Sequence, residues 1–197
     1  MYGRLPRNDG GVRFDEVLTR NEGIEVLAEL KALRRPGPVV VTGVRQERVK
    51  LSQFRFVLDQ DARAWSLDRD DGSHQYYRDG QLHGPDGLHD VAFENGMPAP
   101  VHMAMPELLR WWGRGRESFA PVLVQRVGSH SLLITFEHDK DPAFRTTLVV
   151  DERNGIARRR MELGDVTAVT DVRAITPSEP STAPAFEPII DWIPPDY

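Results

Sequence analysis

The stretch of residues 131–175 constrains the fold of this chain more than any other part of the sequence. It contains four runs rich in Leu, Val, Ile, Thr and Phe, which are separated by DKDP, ERNG and GD. Asp, Asn and Gly favour turns, and Pro142 has no backbone N–H for a strand ladder. These patterns predict an antiparallel meander. Because such a sheet is not stable with both faces in water, earlier parts of the chain have to cover it.

An amphipathic helix is predicted over residues 12–35. Its apolar residues recur at spacings of three and four, which places them on one helical face. Gly23 interrupts the pattern, so the region forms either one weakened helix or two short ones. Residues 1–11 are polar and rich in Gly, and we predict that they form a flexible arm.

Between this helix and the meander, strand and turn patterns alternate. Strands or hairpins are predicted over residues 38–45, 53–68, 74–82 and 119–127, and a short helix is predicted from Pro106 to Gly113. Gly43 is expected to mark a bulge or a close approach of another group. The fold class is α+β and mainly β: one curved antiparallel sheet of about nine to eleven strands, with the N-terminal helix and short helices covering its concave face. Residues 12–176 form a single domain, and residues 177–197 form a Pro-rich extended tail.

The composition argues against several classes of function. Hydrophobic residues make up 40% and charged residues 28% of the chain, which is typical of a globular protein. The net charge of −5 argues against nucleic acid as a partner, since phosphate binding needs a basic surface. Without cysteine there is no disulfide and no thiol nucleophile. The sequence has no run of about 18 apolar residues and no apolar signal segment, so we expect a cytoplasmic protein that does not span a membrane.

Three segments resemble those of a known family. They are FRFVLD at residues 54–59, YYRDGQLHGPDG at residues 76–87 and LVVDERNGIARRRMEL at residues 148–163. In these segments and in the order of its predicted elements, over most of residues 12–175, the chain resembles the outer-membrane lipoprotein carriers (LolA-like) and their relatives of the RseB kind. The resemblance implies an unclosed barrel of antiparallel strands whose concave apolar face holds acyl chains under a helical lid. It also implies binding rather than catalysis.

Large aromatic residues indicate an apolar ligand site. The candidate ligand-binding residues are Phe54, Phe56, Trp65, Tyr76, Trp111 and Trp112, and several methionines accompany them in the sequence. The alternative is that these residues form the core between the sheet and the helices. Arg159 is a further candidate, for a ligand carboxylate or headgroup, if it lies on the concave side. Otherwise the arginines at 158–160 form cross-strand ion pairs on the exposed face.

The C-terminal tail contains a candidate partner-binding segment. Five large apolar residues are concentrated near its end: Phe186, Ile189, Ile190, Trp192 and Ile193. The tail is either a disordered end, or it docks into an apolar groove of this chain or of a partner protein. We favour docking because so many large apolar side chains are rarely left in water.

Polar residues provide no comparable signal for chemistry. His74, His83 and His89 lie near several aspartates, but their spacing matches no metal motif, so we expect no metal and no cofactor. The sequence contains neither a G-x-S-x-G elbow nor a phosphate-binding glycine loop. We therefore predict a non-enzymatic binding protein for a lipid or another hydrophobic small molecule. The alternative is a protein-interaction or assembly module that uses the same groove or the tail.

Overall fold

A single antiparallel sheet forms most of the protein, and the computed structural model describes residues 16–17, 19–34, 37–109 and 119–175. Its twelve strands are β1 (Glu16–Val17), β2 (Val39–Glu47), β3 (Lys50–Asp59), β4 (Ala64–Arg69), β5 (His74–Arg78), β6 (Gln81–Gly84), β7 (Gly87–Asp90), β8 (Phe119–Arg126), β9 (Ser131–His138), β10 (Arg145–Asp151), β11 (Ala157–Glu162) and β12 (Asp165–Ala174). The predicted mainly β fold is confirmed. The prediction was about nine to eleven strands, and the additional twelfth strand is the two-residue β1.

The strands follow the order β1-β8-β9-β10-β11-β12-β2-β3-β4-β5-β6-β7. Two runs of hairpin-connected strands, β8 to β12 and β2 to β7, therefore meet where β12 pairs with β2. The edge strands β1 and β7 do not pair with each other, so the sheet is open. The meander predicted over residues 131–175 is confirmed as β9 to β12.

The N-terminal helix α1 spans Arg20–Leu33 and begins at a capping box. Thr19 Oγ1 accepts a hydrogen bond from the Glu22 backbone N–H at 3.4 Å, and the Thr19 N–H donates to the Glu22 carboxylate at 2.7 Å. The prediction of a helix from residue 12 is wrong at Glu16–Val17, which form β1 and pair with β8. The physical reason is that the cap satisfies the first helical N–H groups at Thr19 and so fixes the start there.

The region around Gly23 forms one helix rather than two. Gly23 lies within α1, where the helix crosses β8: an added Cβ would lie 2.6 Å from Pro121 Cγ. The missing side chain thus permits a close approach of α1 to the sheet, and this approach explains a glycine inside a helix.

Residues 93–109, here called the cover segment, lie over the sheet as three short turns. They are α2 (Phe93–Gly96), α3 (Ala99–His102) and a 3-10 turn at Pro106–Leu108. The predicted helix from Pro106 to Gly113 is wrong at Leu109, which has an extended backbone with ψ of 140°. The rest of that prediction, residues 110–113, lies outside the described residues. Among the described residues, no helix is long and apolar enough to span a membrane.

One face of the sheet, here called the covered face, packs against α1 and the cover segment. Side chains alternate along each strand, so β9 places Leu132, Ile134 and Phe136 on this face, and β10 adds Leu148 and Val150. From above, α1 contributes Val26 and Leu30, and the cover segment contributes Phe93, Val101 and Met103. The expected helical cover of one sheet face is confirmed.

Candidate functional site

An aromatic row occupies the covered face across β3, β4 and β5. Phe54 and Phe56 are 2% and 0% exposed, and their ring centroids are 6.2 Å apart. Trp65 is 3% exposed and stacks on Tyr77 at 6.4 Å, and Phe93 of the cover segment meets Tyr77 edge-on at 5.4 Å. Since rings contribute large apolar areas, this row forms a large apolar part of the covered face.

Gly43 of β2 makes room for this row. It pairs with Phe54 across the strands, and an added Cβ would lie 2.4 Å from Phe54 Cζ. The Phe54 ring therefore lies over the Gly43 backbone. The structure thus shows the close approach at Gly43, and it also has a β-bulge opposite Gly43, on β12 between Val169 and Asp171.

The cover segment is held by few polar contacts. Arg34 at the end of α1 forms a buried ion pair with Glu107 of the 3-10 turn. The Ala157 N–H of β11 donates to the Met103 carbonyl at 2.7 Å, and Arg63 donates to the Glu94 carboxylate at 3.1 Å. Neither α2 nor α3 has a side-chain cap. Because single turns are marginal alone, packing and these contacts keep the segment in place.

The indole N–H of Trp65 is the unusual polar group of the aromatic row. Trp65 Nε1 is buried and has no hydrogen-bond acceptor among the described residues. A buried donor without a partner costs about 1–3 kcal/mol. An acceptor placed beside Trp65 by a ligand would remove this cost.

The structure brings together only part of the predicted ligand-binding set. Phe54, Phe56 and Trp65 share the covered face, but Tyr76 lies on the opposite face. There Tyr76 stacks on His83 at 4.2 Å. The prediction that Tyr76 lines the groove is therefore wrong, and Tyr77 lies on the covered face instead. Trp111 and Trp112 lie outside the described residues. So do Phe186, Ile189, Ile190, Trp192 and Ile193, whose role stays a prediction.

Arg159 does not lie on the covered face. A β-bulge between Val149 and Val150 leaves Arg158 without a cross-strand partner, and Arg159 then pairs with Val149 and Ala168 and is exposed. Arg159 was a candidate ligand-binding residue only if it lay on the concave side. Its position on the opposite face therefore removes it from the candidate site. The sequence did not reveal the bulge, because the run of three arginines reads as regular strand.

The other two arginines of the run have structural partners. Arg158 donates to Asp151 at 3.0 Å, and Arg153 donates to the same carboxylate at 2.7 Å. Hydrogen bonds from Arg153 hold the pKa of Asp151 far below its usual range. Arg160 is buried on the covered face and forms an ion pair with Glu162. The expectation that all three arginines form pairs on the exposed face is thus wrong for Arg160.

Polar residues close one end of the covered face, where β2, β11 and β12 meet. Arg45 donates to the Asp165 carboxylate at 2.5 Å, and Arg160 lies 3.6 Å from the same carboxylate. The hydrogen bond to Asp165 raises the pKa of Arg45, whereas burial lowers the pKa of Arg160. Arg45 also lies 3.3 Å from Glu47, and Arg160 pairs with Glu162, so two arginines lie among three carboxylates and this polar cluster limits the apolar region.

The histidine cluster considered in the sequence is dispersed. His83 pairs with Leu88, whereas His89 pairs with Leu82, so His83 and His89 point to opposite faces of the sheet. His74 lies beside Asp68 at 2.6 Å. Within the described residues, no group of three or more His, Asp or Glu side chains is placed to hold a metal ion.

Comparison with known proteins relates the fold to several solved structures. No protein-family model matches the chain, and no curated protein is significantly similar to it in sequence. MucB is 15% identical with a TM-score of 0.49, and the match covers 84% of this chain and 61% of MucB. An uncharacterised conserved protein of Thermus thermophilus is 8% identical with a TM-score of 0.49, covering 77% of this chain and 87% of that one.

A putative outer membrane lipoprotein-sorting protein domain of Vibrio parahaemolyticus is 11% identical with a TM-score of 0.37, covering 82% of this chain and 95% of the domain. With MucB, it agrees with the fold-level resemblance to LolA-like and RseB-like proteins that the sequence indicated. The likeness is one of fold alone. The function has to follow from the chain's own residues.

Proposed function

We propose that this chain is a non-enzymatic binding protein that holds a lipid or another hydrophobic small molecule between the covered face and the cover segment. One observation carries the proposal: an aromatic sheet face is closed by short turns rather than by a long helix. The Arg34–Glu107 ion pair is the buried ion pair that ties these turns to α1.

The construction of the cover segment favours opening. Short turns do not hold their shape without tertiary contacts, so such a segment opens at a lower free energy than the strands beneath it. Met97 and Met103 face the core from this segment, and their flexible thioethers can repack around a ligand. An apolar ligand that enters would replace the lost contacts between the cover segment and the aromatic row.

Trp65 indicates the polar part of the ligand. Its N–H is buried and has no acceptor among the described residues, so it favours a ligand that has a hydrogen-bond acceptor next to an apolar chain. A fatty acyl ester or carboxylate has this chemistry. Such a ligand would satisfy the indole while its chain contacts Phe54 and Phe56.

The experiment is native mass spectrometry of the purified full chain, repeated after denaturation and followed by titration of the delipidated chain with oleic acid. We expect either a retained mass that is lost on denaturation or saturable one-to-one oleate binding. Trp65→Phe keeps an aromatic ring and removes the N–H, so oleate affinity should fall by about fivefold to tenfold.

Tyr76→Phe is the matched control, because Tyr76 lies on the opposite face and should leave the affinity unchanged. A clean apo mass together with no oleate binding would contradict the proposal. That result would leave the protein-interaction module, with the partner recognised through the groove or the tail.

A further inference from the structure

The face of the sheet opposite the covered face, here called the outer face, has two neighbouring rows of side chains across β8 to β12 and β2. Cross-strand pairing fixes the order of the residues in each row. The first row is Leu123, Thr135, Thr147, Met161, Val166 and Gln46, and the second is Gln125, Leu133, Val149, Arg159, Ala168 and Val44. These twelve residues are here called the outer patch.

The outer patch is more apolar than the wet face of an antiparallel sheet usually is. Seven of its twelve residues are apolar, whereas strands with one face in water place mostly polar residues on that face. Val166 is 40% exposed, and the other six apolar residues are half-buried. The helix α1 and the cover segment pack on the covered face, so none of the described helices or short turns lies over the patch. A contiguous apolar surface of this kind indicates a docking site.

Arg159 is the one charged residue of the outer patch, and it forms no ion pair within the described part of the chain. Carboxylates of the same strands lie in the rows on either side of the patch, at Asp151, Glu137 and Asp171. Each of them is already bonded to another arginine, so none is left as a partner for Arg159. The arginines that bond them are Arg145, Arg153, Arg158 and Arg173.

Residues 176–197, which lie outside the described residues, have the complementary chemistry. They contain four Asp or Glu residues and no Lys, Arg or His. Within residues 186–193, here called the tail segment, Glu187 and Asp191 are interspersed with five large apolar residues. A carboxylate among apolar side chains suits an arginine among apolar side chains, because an arginine and a carboxylate form a strong bidentate hydrogen-bonded pair.

The chain leaves the sheet at a point from which the tail segment can reach the outer patch. The Ile175 N–H donates to the Pro38 carbonyl at 2.9 Å, at the end of β12. Ala168, which pairs with Arg159, lies seven residues earlier on the same strand, or about 23 Å away. The eleven steps from Ile175 to Phe186 span up to about 36 Å when extended, so the tail segment can return to Arg159.

We propose that the tail segment docks on the outer patch of its own chain, with the carboxylate of Glu187 or Asp191 bonded to Arg159 and its apolar side chains on the two rows. The tether favours the chain's own tail, because a linker of about ten residues gives an effective concentration of the order of a millimolar. The covered face is already filled by α1 and the cover segment. The proposed ligand site therefore stays clear of the tail segment.

The test uses the full chain, which has no cysteine of its own and so accepts a single spin label. With a nitroxide at Thr147→Cys in the outer patch, the NMR amide signals of residues 186–193 should lose most of their intensity and recover when the nitroxide is reduced. The control labels are Leu88→Cys, on the outer face of β7 seven strands from β11, and Glu94→Cys, on the cover segment. Neither control label should broaden these signals.

Arg159→Glu replaces the cation by an anion and should lower the ratio of docked to free tail segment by about tenfold, so that most of the signal returns. Arg78→Glu is the matched control, because it makes the same change of charge on an exposed arginine of β5, which lies 3.7 Å from Asp79, and should leave the broadening unchanged. The double variant Ile190→Ser, Trp192→Ser alters no residue of the sheet and should abolish the broadening. Circular dichroism checks that each variant keeps its fold.

Four results would overturn the proposal. The first is full signal intensity of residues 186–193 with the Thr147→Cys label. The second is equal broadening in the wild-type background and with Arg159→Glu. The third is broadening from the Glu94→Cys label alone, which would place the tail segment over the covered face. The fourth is broadening in isotope-enriched chains without a label when they are mixed with labelled chains, which would make a second copy the source of the docked segment.

Discussion

Gly43 shows how a single residue shapes the candidate site. Phe54 has its ring over the Gly43 backbone, where the Ala168 carbonyl also approaches: an added Cβ would lie 2.4 Å from that oxygen. Gly43 therefore sets the depth at which the aromatic row lies against β2. The sequence indicated a special role for this glycine, because a glycine inside an otherwise β-branched strand weakens it unless something needs the space.

Gly43→Ala is expected to destabilise the protein by about 1–3 kcal/mol, because the Phe54 ring has to leave its position and the strand backbone blocks the other side. The measurement is the free energy of unfolding from urea titration. Gly84→Ala is the control, since its added Cβ would meet only Gln75, at 3.6 Å, and should change stability by less than about 0.5 kcal/mol. Equal stability of both variants would show that Phe54 moves freely, contrary to its close packing.

Residue identity alone did not decide which tyrosine of β5 lies on the covered face. Tyr76 and Tyr77 are adjacent and similar, so alternation leaves both assignments open. The choice depends on the turn between β4 and β5, where Gly72 adopts a φ of 80° and Arg69 donates to the Ser73 carbonyl. This turn pairs Trp65 with Tyr77, and such a register is a property of the folded hairpin.

At the scale of elements, the proposed function requires the cover segment to have a low local stability. Glu107→Gln removes the charge that compensates Arg34 in a buried place. We expect hydrogen exchange of the amides in residues 93–109 to accelerate at least about tenfold, because an unpaired buried guanidinium favours the open segment. The measurement is hydrogen exchange by mass spectrometry at neutral pH.

Glu94→Gln provides the matched control in the same segment. Glu94 pairs with Arg63 at 3.1 Å, but both side chains are partly in water, so the loss of this pair should change exchange little. If Glu107→Gln leaves exchange in the segment unchanged, the ion pair does not hold the cover. If both variants accelerate exchange equally, the buried Arg34–Glu107 pair has no larger effect on the cover segment than the exposed Arg63–Glu94 pair.

Elements defined by local chemistry were predicted well, and those defined by contacts were not. The strands β9 to β12 alternate apolar and polar residues and are joined by Asp- and Gly-containing turns, so the sequence contains their whole pattern. The 3-10 turn at Pro106–Leu108 is different, because its contacts are distant in sequence: Glu107 pairs with Arg34 of α1, and Leu109 after the turn packs in the core. The residue at the bulge, Arg158, likewise has a partner on the neighbouring strand, Asp151, which local patterns do not reveal.

At the scale of the whole molecule, β12 and β2 join the two runs of strands. Val41 of β2 pairs with Val172 of β12 on one side and with Phe56 of β3 on the other. This contact brings together parts of the chain more than a hundred residues apart in sequence. The turn and periodicity signals are local. The sequence therefore predicted one open sheet, but it did not predict which strands join the two halves of that sheet.

Val41→Ala therefore tests whether the sheet is one cooperative unit. Val41 is wholly buried, so the variant should lose about 2 kcal/mol of unfolding free energy. Because β12 and β2 link both runs, hydrogen-exchange protection should fall by the same amount in β9 and β10 as in β4 and β5. Val166→Ala, on β12 but exposed, is the control and should change neither run. A loss confined to β4 and β5 would mean that the two runs unfold separately, and the covered face would then be a boundary between two units.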